Sequence, residues 1–195
     1  TVLLQNLGSR LTLSSGTLTL TSGEPVVLPS LLLSGGTLTG SDSITTTGVF
    51  TWSGGTLRGS GATVALGGLL INNSVTLNGR TLENAGNALW ALGSIGLDNG
   101  AVFNNRVGAS FTVQNGGYSL NTSGSPVGRF INAGGVVKGD TSSNTFFANF
   151  TNSGSVTINA GTLGLNGGGT NSGQIAVQSG ATLSLNTVSF ALASS

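Results

Sequence analysis

Five carboxylates are the first candidates for chemistry in this sequence: Glu24, Asp42, Glu83, Asp98 and Asp140. Glycoside hydrolysis needs two carboxyl groups that face each other across the scissile bond. Only Glu24 with Asp42, and Glu83 with Asp98, are close enough in sequence to stack in neighbouring turns of a repeating chain. We interpret the five acids as solvated residues, with a polysaccharide-degrading enzyme as the rival interpretation.

Several residue types that commonly carry catalysis are missing. The sequence contains no His, Cys or Met, which excludes disulfides and metal sites built from thiolate or imidazole ligands. A serine nucleophile would lack a histidine base. The glycines at 167–169 are followed by neither a Lys nor a helical pattern, so they do not form a phosphate-binding loop. We therefore expect a protein without enzymatic activity, metal or cofactor.

Three arginines have a spacing that could form a glycan-binding stripe. The intervals that separate Arg80, Arg106 and Arg129 are close to the period described below. If these arginines stacked, they could bind an acidic glycan, although like charges about 4.8 Å apart repel one another. The alternative is three independent surface arginines.

Paired threonines raise a different class of function, the binding of ice by a flat face with Thr-x-Thr in each turn. The pairs that fit this pattern are Thr17 with Thr19, Thr37 with Thr39, and Thr45 with Thr47. The next aligned pairs are Thr56 with Arg58 and Thr63 with Ala65, so the pattern decays early. Since Thr is common on any solvated strand face, ice binding is a second alternative only.

The aromatic residues Trp52, Trp90 and Tyr118 could stack against sugar rings. Trp52 and Trp90, however, alternate in phase with apolar neighbours, which favours packing in a core or at a corner.

The elements that would position these residues follow from a repeat. Thr151-Asn152-Ser153-Gly154 recurs as Thr170-Asn171-Ser172-Gly173, and Gly-Thr-Leu begins at positions 16, 36 and 55. Each unit holds short alternating runs such as Leu11-Thr12-Leu13, which indicate half-buried strands. A period of about 19 to 20 residues is typical of one coil of a β-solenoid. The sequence thus predicts an all-β fold, a parallel β-helix without significant helix, as a single domain over residues 1–195.

A second marker places an Asn and a Gly at one corner of the coils. The asparagines of this marker are Asn84, Asn105, Asn132, Asn152 and Asn171. Gly and Asn adopt positive φ more readily than other residues, and stacked Asn side chains can form a hydrogen-bonded ladder. The glycines of the marker are unevenly spaced, with the widest interval between Gly108 and Gly134, which predicts protruding loops at 121–126 and 139–144.

Composition limits the partners and the location. Charged residues make up 6% of the chain and its formal net charge is +1, so nothing favours nucleic acid or an anionic membrane surface as a partner. No apolar run approaches the roughly 20 residues that cross a bilayer. Glycine contributes 34 of 195 residues, yet the mean hydropathy of +0.29 argues against disorder.

Strings such as Gly54-Gly55-Thr56-Leu57 and Phe150-Thr151-Asn152-Ser153-Gly154 are similar to those of large secreted bacterial surface proteins. Over most of residues 10–185 the chain resembles the haemagglutinin-like and autotransporter-like β-solenoid adhesins. The resemblance implies a right-handed parallel β-helix, export to the bacterial cell surface, and a structural or adhesive role. A host or environmental glycan would be its ligand.

The two ends of the chain carry a further expectation. Residues 1–4 are mostly apolar, and residues 188–193 contain Phe190 and Leu192 without any charge. Because open solenoid ends expose apolar side chains and unpaired strand edges, natural solenoids cover them. We expect coverage by further coils of a longer chain, or by another copy stacked end to end into a filament.

Overall fold

A computed structural model describes residues 10–185 and the backbone of residues 190–192. These residues form short β-strands and no helix, in agreement with the sequence prediction. Three strands follow one another in each coil, and short corners separate them. Leu11 and Leu13 in the first strand are partly buried while Thr12 between them is exposed, so the period-2 pattern of the sequence is the pattern of burial.

The strands are numbered here in chain order. The first five coils contain β1 Leu11–Leu13, β2 Thr17–Leu20, β3 Val26–Leu28; β4 Leu31–Leu33, β5 Thr37–Gly40, β6 Ile44–Thr46; β7 Phe50–Trp52, β8 Thr56–Arg58, β9 Ala62–Ala65; β10 Leu69–Asn72, β11 Val75–Asn78, β12 Thr81–Asn84; β13 Asn87–Leu92, β14 Ile95–Asp98 and β15 Val102–Asn105. The next four coils contain β16 Ser110–Val113, β17 Leu120–Asn121, β18 Arg129–Asn132; β19 Gly135–Lys138, β20 Ser143–Phe146, β21 Asn149–Asn152; β22 Ser155–Ile158, β23 Thr162–Leu165, β24 Gly169–Asn171; β25 Gln174–Val177, β26 Thr182–Ser184 and β27 Phe190–Leu192.

Strands in the same position of successive coils pair in parallel, which produces three nine-stranded sheets. The first sheet runs from β1 to β25, the second from β2 to β26, and the third from β3 to β27. The fold is therefore a β-solenoid of about nine turns. Strand β3, which lies between Pro25 and Pro29, is the edge of the third sheet, where a proline costs no ladder hydrogen bond.

The register gives the length of each coil directly. In the first sheet Leu11 pairs with Leu31, Leu31 with Phe50, and Phe50 with Leu69. Each of these steps is about 20 residues along the chain, as expected for one solenoid coil. The last two steps, Val136 to Val156 to Ile175, have nearly the same length. The predicted period is thus confirmed towards both ends of the described rod.

Two coils in the middle are longer than the predicted period. Ala88 pairs with Phe111 and Phe111 with Val136, and both steps exceed those near the ends by several residues. The extra residues lie in corners, namely 106–109 between the third and first sheets, 114–119 between the first and second, and 122–128 between the second and third. The loop predicted at 121–126 is therefore observed at 122–128, and the one predicted at 139–144 is shorter, at 139–142.

The core is a narrow column between the three sheets. Val156, Ile158, Leu163 and Leu165 are buried, as the strand phase predicts. Their partners in the last coil are more exposed, and Val177, which pairs with Ile158, is 45% exposed.

Aromatic rings fill the middle of the core. Phe103, Phe130 and Phe150 occupy one inward position of the third sheet in successive coils. Their ring centroids are 4.9 Å and 5.7 Å apart, with planes 7° and 25° from parallel. Trp52 and Trp90 are fully buried, which confirms that they pack in the core and are not platforms for sugar.

Candidate functional site

The structure separates one of the two carboxylate pairs that the sequence suggested. Glu83 lies on the outer face of the third sheet, level with Val64 and Asn104. Asp98 lies in the second sheet, level with Asn78. The two acids do not stack, because the strands β12 and β14 that carry them belong to different sheets.

The other pair shares one corner of the solenoid. The pairing of Val26 with Ile44 brings Glu24 and Asp42 to the same level of neighbouring coils, beside a cavity of about 340 Å³. Glu24 is exposed, whereas Asp42 is buried. The Asp42 carboxylate accepts hydrogen bonds from the amide and hydroxyl of Ser22, at 2.8 and 2.7 Å, and from the amide of Gly23 at 2.9 Å.

These bonds determine the charge state of Asp42. Burial raises its pKa, but the hydrogen bonds from Ser22 and Gly23, together with the charge of Arg80, outweigh burial and lower the pKa below its usual value. A carboxyl group that acts as a general acid at neutral pH needs the opposite shift. Asp42 therefore closes a corner as a carboxylate.

Arg80 is a buried cation whose side chain bonds to the backbone of the two coils that precede its own. Its Nε donates to the Thr63 hydroxyl at 2.9 Å. Its two terminal nitrogens donate to four backbone carbonyl oxygens, at 2.9 to 3.2 Å, those of Gly40, Asp42, Arg58 and Ala62. Burial lowers the pKa of Arg80 to about 10, and the nearby charge of Asp42 opposes this shift. Arg80 remains protonated at neutral pH and fastens the corner between the second and third sheets.

The structure does not form the arginine stripe. Arg80 points inward and is 1% exposed. Arg106 lies beyond the end of β15 and makes an ion pair with Glu83, and Arg129 lies on the outer face of the third sheet, level with Val102. The stripe prediction fails because the two long coils in the middle place the three arginines at different positions around the rod.

The five marker asparagines form one continuous ladder inside the third sheet. The Nδ2 atom of each donates to the Oδ1 atom of the next, at 2.8, 2.7, 2.6 and 2.6 Å from Asn84 through to Asn171. The same Nδ2 atoms also reach backbone carbonyls that lie ahead, such as that of Ser155 from Asn132 at 3.0 Å. The side chains are buried, so the ladder is an internal column of aligned amides.

The sequence predicted positive φ at the Asn and Gly of this marker, and the backbone there does not adopt it at most of these residues. Each asparagine is the last residue of a strand, and among the residues described only Asn99 has positive φ without being a glycine. Gly154 and Gly173 do not have positive φ either. A Cβ atom on Gly154 would lie 2.0 Å from the carbonyl oxygen of Gly134, and one on Gly173 would lie 2.1 Å from that of Gly154. These glycines are required for close contact between coils, not for an unusual dihedral angle.

A second buried cation was not predicted from the sequence. Lys138 points into the core, is fully buried and forms an ion pair with Asp140, which also accepts hydrogen bonds from Ser142 and from the amide of Gly116. Burial raises the pKa of Asp140, but the bonds from Lys138, Ser142 and Gly116 lower it well below its usual value. The repeat does indicate that Lys138 faces the core, because Lys138 is level with Ile158, which occupies an inward position.

A shallow groove of about 920 Å³ follows the corner between the third and first sheets, beside the asparagine ladder. Glycines and serines of successive coils form its lining, among them Gly134, Ser153, Ser155 and Ser172. The hydroxyls of Ser153 and Ser172 approach the carbonyl oxygens of Asn132 and Asn152 of the preceding coil at 3.4 Å. The groove is polar and carries no charged residue along its lining.

The threonine pairs are divided between two sheets. Thr17, Thr37, Thr56 and Thr76 form a continuous outward column on the second sheet, which ends at Gly96. Thr45 belongs to β6 of the third sheet, and Thr63 points inward and is buried. The Thr-x-Thr face considered in the sequence analysis is therefore reduced to this one column of four threonines. Thr19 and Thr39 lie beside its first two members.

The described residues contain no group of three His, Cys, Asp or Glu residues that could hold a metal ion. The same part of the chain contains no helix long and apolar enough to cross a membrane. In comparisons of the whole chain with protein-family models, with curated proteins and with solved structures, nothing matches.

Proposed function

We propose that this chain is a non-catalytic structural or adhesive β-solenoid, a rod segment of a secreted bacterial surface protein. One observation carries the proposal: the polar side chains in the interior join one coil to another. The asparagine ladder connects five coils through four side-chain hydrogen bonds, and Arg80 joins its own coil to the backbone of the two coils before it.

The charged residues support the same proposal. Asp42, Arg80, Lys138 and Asp140 are bonded to coil backbone or to one another. Burying a charge costs several kcal/mol unless it is paired and hydrogen-bonded. Here that cost is offset by bonds that fix the corners, so the charges that could do chemistry are part of a stiff scaffold.

Stacking at the ends belongs to the same proposal. In the last described coil Val177 and Leu185 are 45% and 48% exposed, although Ile158 and Leu165, one coil earlier, are buried. We propose that the apolar column is continued by a further coil or by another copy of the chain, so that the rod extends end to end.

The groove beside the asparagine ladder favours polysaccharide binding as a second function. Its volume of about 920 Å³ is within the range of ligand sites, and its hydroxyls recur in successive coils. A neutral glycan lying along the rod would fit hydroxyls and backbone groups that carry no charge. Ice binding is a third candidate, supported by the four-membered threonine column of the second sheet.

The proposal is tested by measuring the retention of beads that carry the purified chain on an array of neutral and acidic glycans. We expect retention on some glycans without any shortening of them, and rods in electron micrographs. Ser153→Trp would fill the groove and abolish retention if the groove binds the glycan, whereas Thr151→Trp on the neighbouring sheet face would not. Thermal hysteresis of the solution would favour the ice-binding candidate and contradict the structural one.

A further inference from the structure

The outer face of the first sheet carries a column of threonines and aliphatic residues through all nine strands. From β1 to β25 the paired outward residues are Thr12, Leu32, Thr51, Leu70, Leu89, Thr112, Val137, Thr157 and Ala176. Leu89 is 36% exposed, and Val49 and Leu92 beside the column are 49% and 47% exposed. The described residues leave this column open to solvent at every level. From β13 to β25 a second outward column lies beside it, Asn87, Ser110, Gly135, Ser155 and Gln174.

Charge is excluded from this face. From β4 to β25 no charged side chain points outward on the first sheet, since Lys138 of β19 points into the core. The charged residues that point outward from strands are on the other two sheets, Arg58 and Asp98 on the second, and Glu83 and Arg129 on the third. Depletion of charge is what distinguishes the core of a protein interface from the remaining surface.

The size of the face suits a second flat sheet. Nine strands about 4.8 Å apart give a length of about 38 Å, and strands of mostly three or four residues give a width of about 10 Å. A face-to-face pair of such surfaces would bury roughly 800 Å² in total, which is the size of a weak, reversible interface. The face is flat and has no aromatic or charged anchor along its column, so it does not suit a small ligand, a nucleic acid or an anionic membrane.

The order of residues in the column is self-complementary. A two-fold axis that crosses the rod between β10 and β13 places Leu70 against Leu89 and Thr51 against Thr112. Leu32 then faces Val137, and Thr12 faces Thr157. A two-fold axis parallel to the rod pairs each residue with its own copy. In both arrangements aliphatic side chains meet aliphatic side chains and hydroxyls meet hydroxyls, as an isologous interface requires.

We propose that the outer face of the first sheet is a lateral interface between two copies of this chain, packed face to face. Sheets that pack in this way lie about 10 Å apart with interdigitated side chains. The pair is lateral, so it is independent of any stacking at the ends of the rod and of the function proposed above.

Sedimentation equilibrium tests the interface with matched variants. Leu89→Glu places a charge in the column, and Val27→Glu places one on the third sheet, at a residue that is 38% exposed against 36% for Leu89. We expect a monomer–dimer equilibrium that Leu89→Glu weakens about tenfold or more, because a charge is buried without a partner. Val27→Glu should change it less than about twofold. A monomer at every concentration, or equal effects of the two variants, would overturn the proposal.

Cross-linking tests the same face without destabilising it. The chain contains no cysteine, so introduced thiols report their own contacts. Under mild oxidation Thr51→Cys should form a dimer with itself if the rods are parallel, or with Thr112→Cys if they are antiparallel. Both results support the interface. If neither pair forms a disulfide faster than Val27→Cys with itself, the proposal fails.

Discussion

At the scale of single residues, buried charges are tied to the backbone. The guanidinium of Arg80 donates to carbonyl oxygens of the two coils that precede its own, and to no carboxylate. Only the planar fork of an arginine presents five donors in one plane, which explains why the side chain is not a lysine.

We predict that Arg80→Leu lowers the free energy of unfolding by about 3 kcal/mol, because four carbonyl oxygens and the Thr63 hydroxyl lose their donor. Arg80→Lys should recover less than half of the loss, since an ammonium group has three donors. Denaturant unfolding measures both. Arg58→Leu, at an exposed position, is the control, with an effect within about 0.5 kcal/mol. A full recovery by lysine would contradict the role of the fork.

Asp140 predicts a dependence of stability on pH. Its pKa is lowered in the folded chain, so its contribution is complete above the unfolded value of about 4 and is lost as the pH falls below it towards the folded value. Asp140→Asn should therefore be less stable than the wild type at neutral pH, and the difference should shrink in acid. Unfolding curves at pH 7 and pH 2 measure this, with Glu24→Gln, at an exposed corner, as the control. A difference that is constant with pH would contradict the prediction.

At the scale of elements, the strand phase is fixed by alternation. In β22, Val156 and Ile158 face the core, while Thr157 faces solvent. Ile158→Asp should prevent folding, since it places an unpaired charge in a narrow apolar column, whereas Thr157→Asp should fold. Circular dichroism and thermal unfolding of the two variants decide this. Equal effects would mean that the phase is wrong.

The asparagine ladder is the second element with a measurable energy. Asn132→Ala removes the acceptor of Asn105 and the donor to Asn152, so two buried amides lose a partner. We expect a loss of about 2 to 3 kcal/mol in the free energy of unfolding. Asn104→Ala, on the outer face next to the ladder, should cost less than about 0.5 kcal/mol. Similar losses in both would show that the ladder contributes nothing specific.

Much of this architecture could be predicted from the sequence because the repeat and the strands have different periods. The long repeat gives the coil, and the alternation within each strand gives the inward face, so Val156 and Ile158 were placed correctly. Corner length follows neither period, since loops tolerate insertion. The corner at 114–119 was therefore missed, and the arginine stripe that depended on regular corners was wrong.

The polar interior was the least predictable part. Lys138 and Arg80 occupy positions that the repeat marks as inward, but charged residues are read as exposed by default. Their partners are mainly backbone oxygens and one nearby carboxylate, and these groups have no sequence signature. The asparagine column, by contrast, repeats in five coils, and this repetition made the ladder predictable.

At the scale of the whole molecule, the charges are divided by sheet. The second and third sheets carry the charges that point outward from strands, the corners carry most of the rest, and the outer face of the first sheet has none from β4 to β25. A solenoid is a quasi-one-dimensional structure in which most contacts join neighbouring coils, although Arg80 also reaches Gly40, two coils away. One continuous side of the rod thus carries no outward charge from β4 to β25, and we propose that this side associates while the interior supplies the stability.

We propose that the acidic residues serve the scaffold and not a reaction. The most direct measurement is the release of new reducing ends or unsaturated products from a panel of neutral and acidic polysaccharides. The wild type and the double variant Glu24→Gln with Asp42→Asn, which alters the one pair that shares a level, are compared. We predict no release by either protein, with a loss of stability in the double variant because Asp42 caps the amides of Ser22 and Gly23. Turnover by the wild type that the double variant abolishes at a temperature where both are folded would contradict the account.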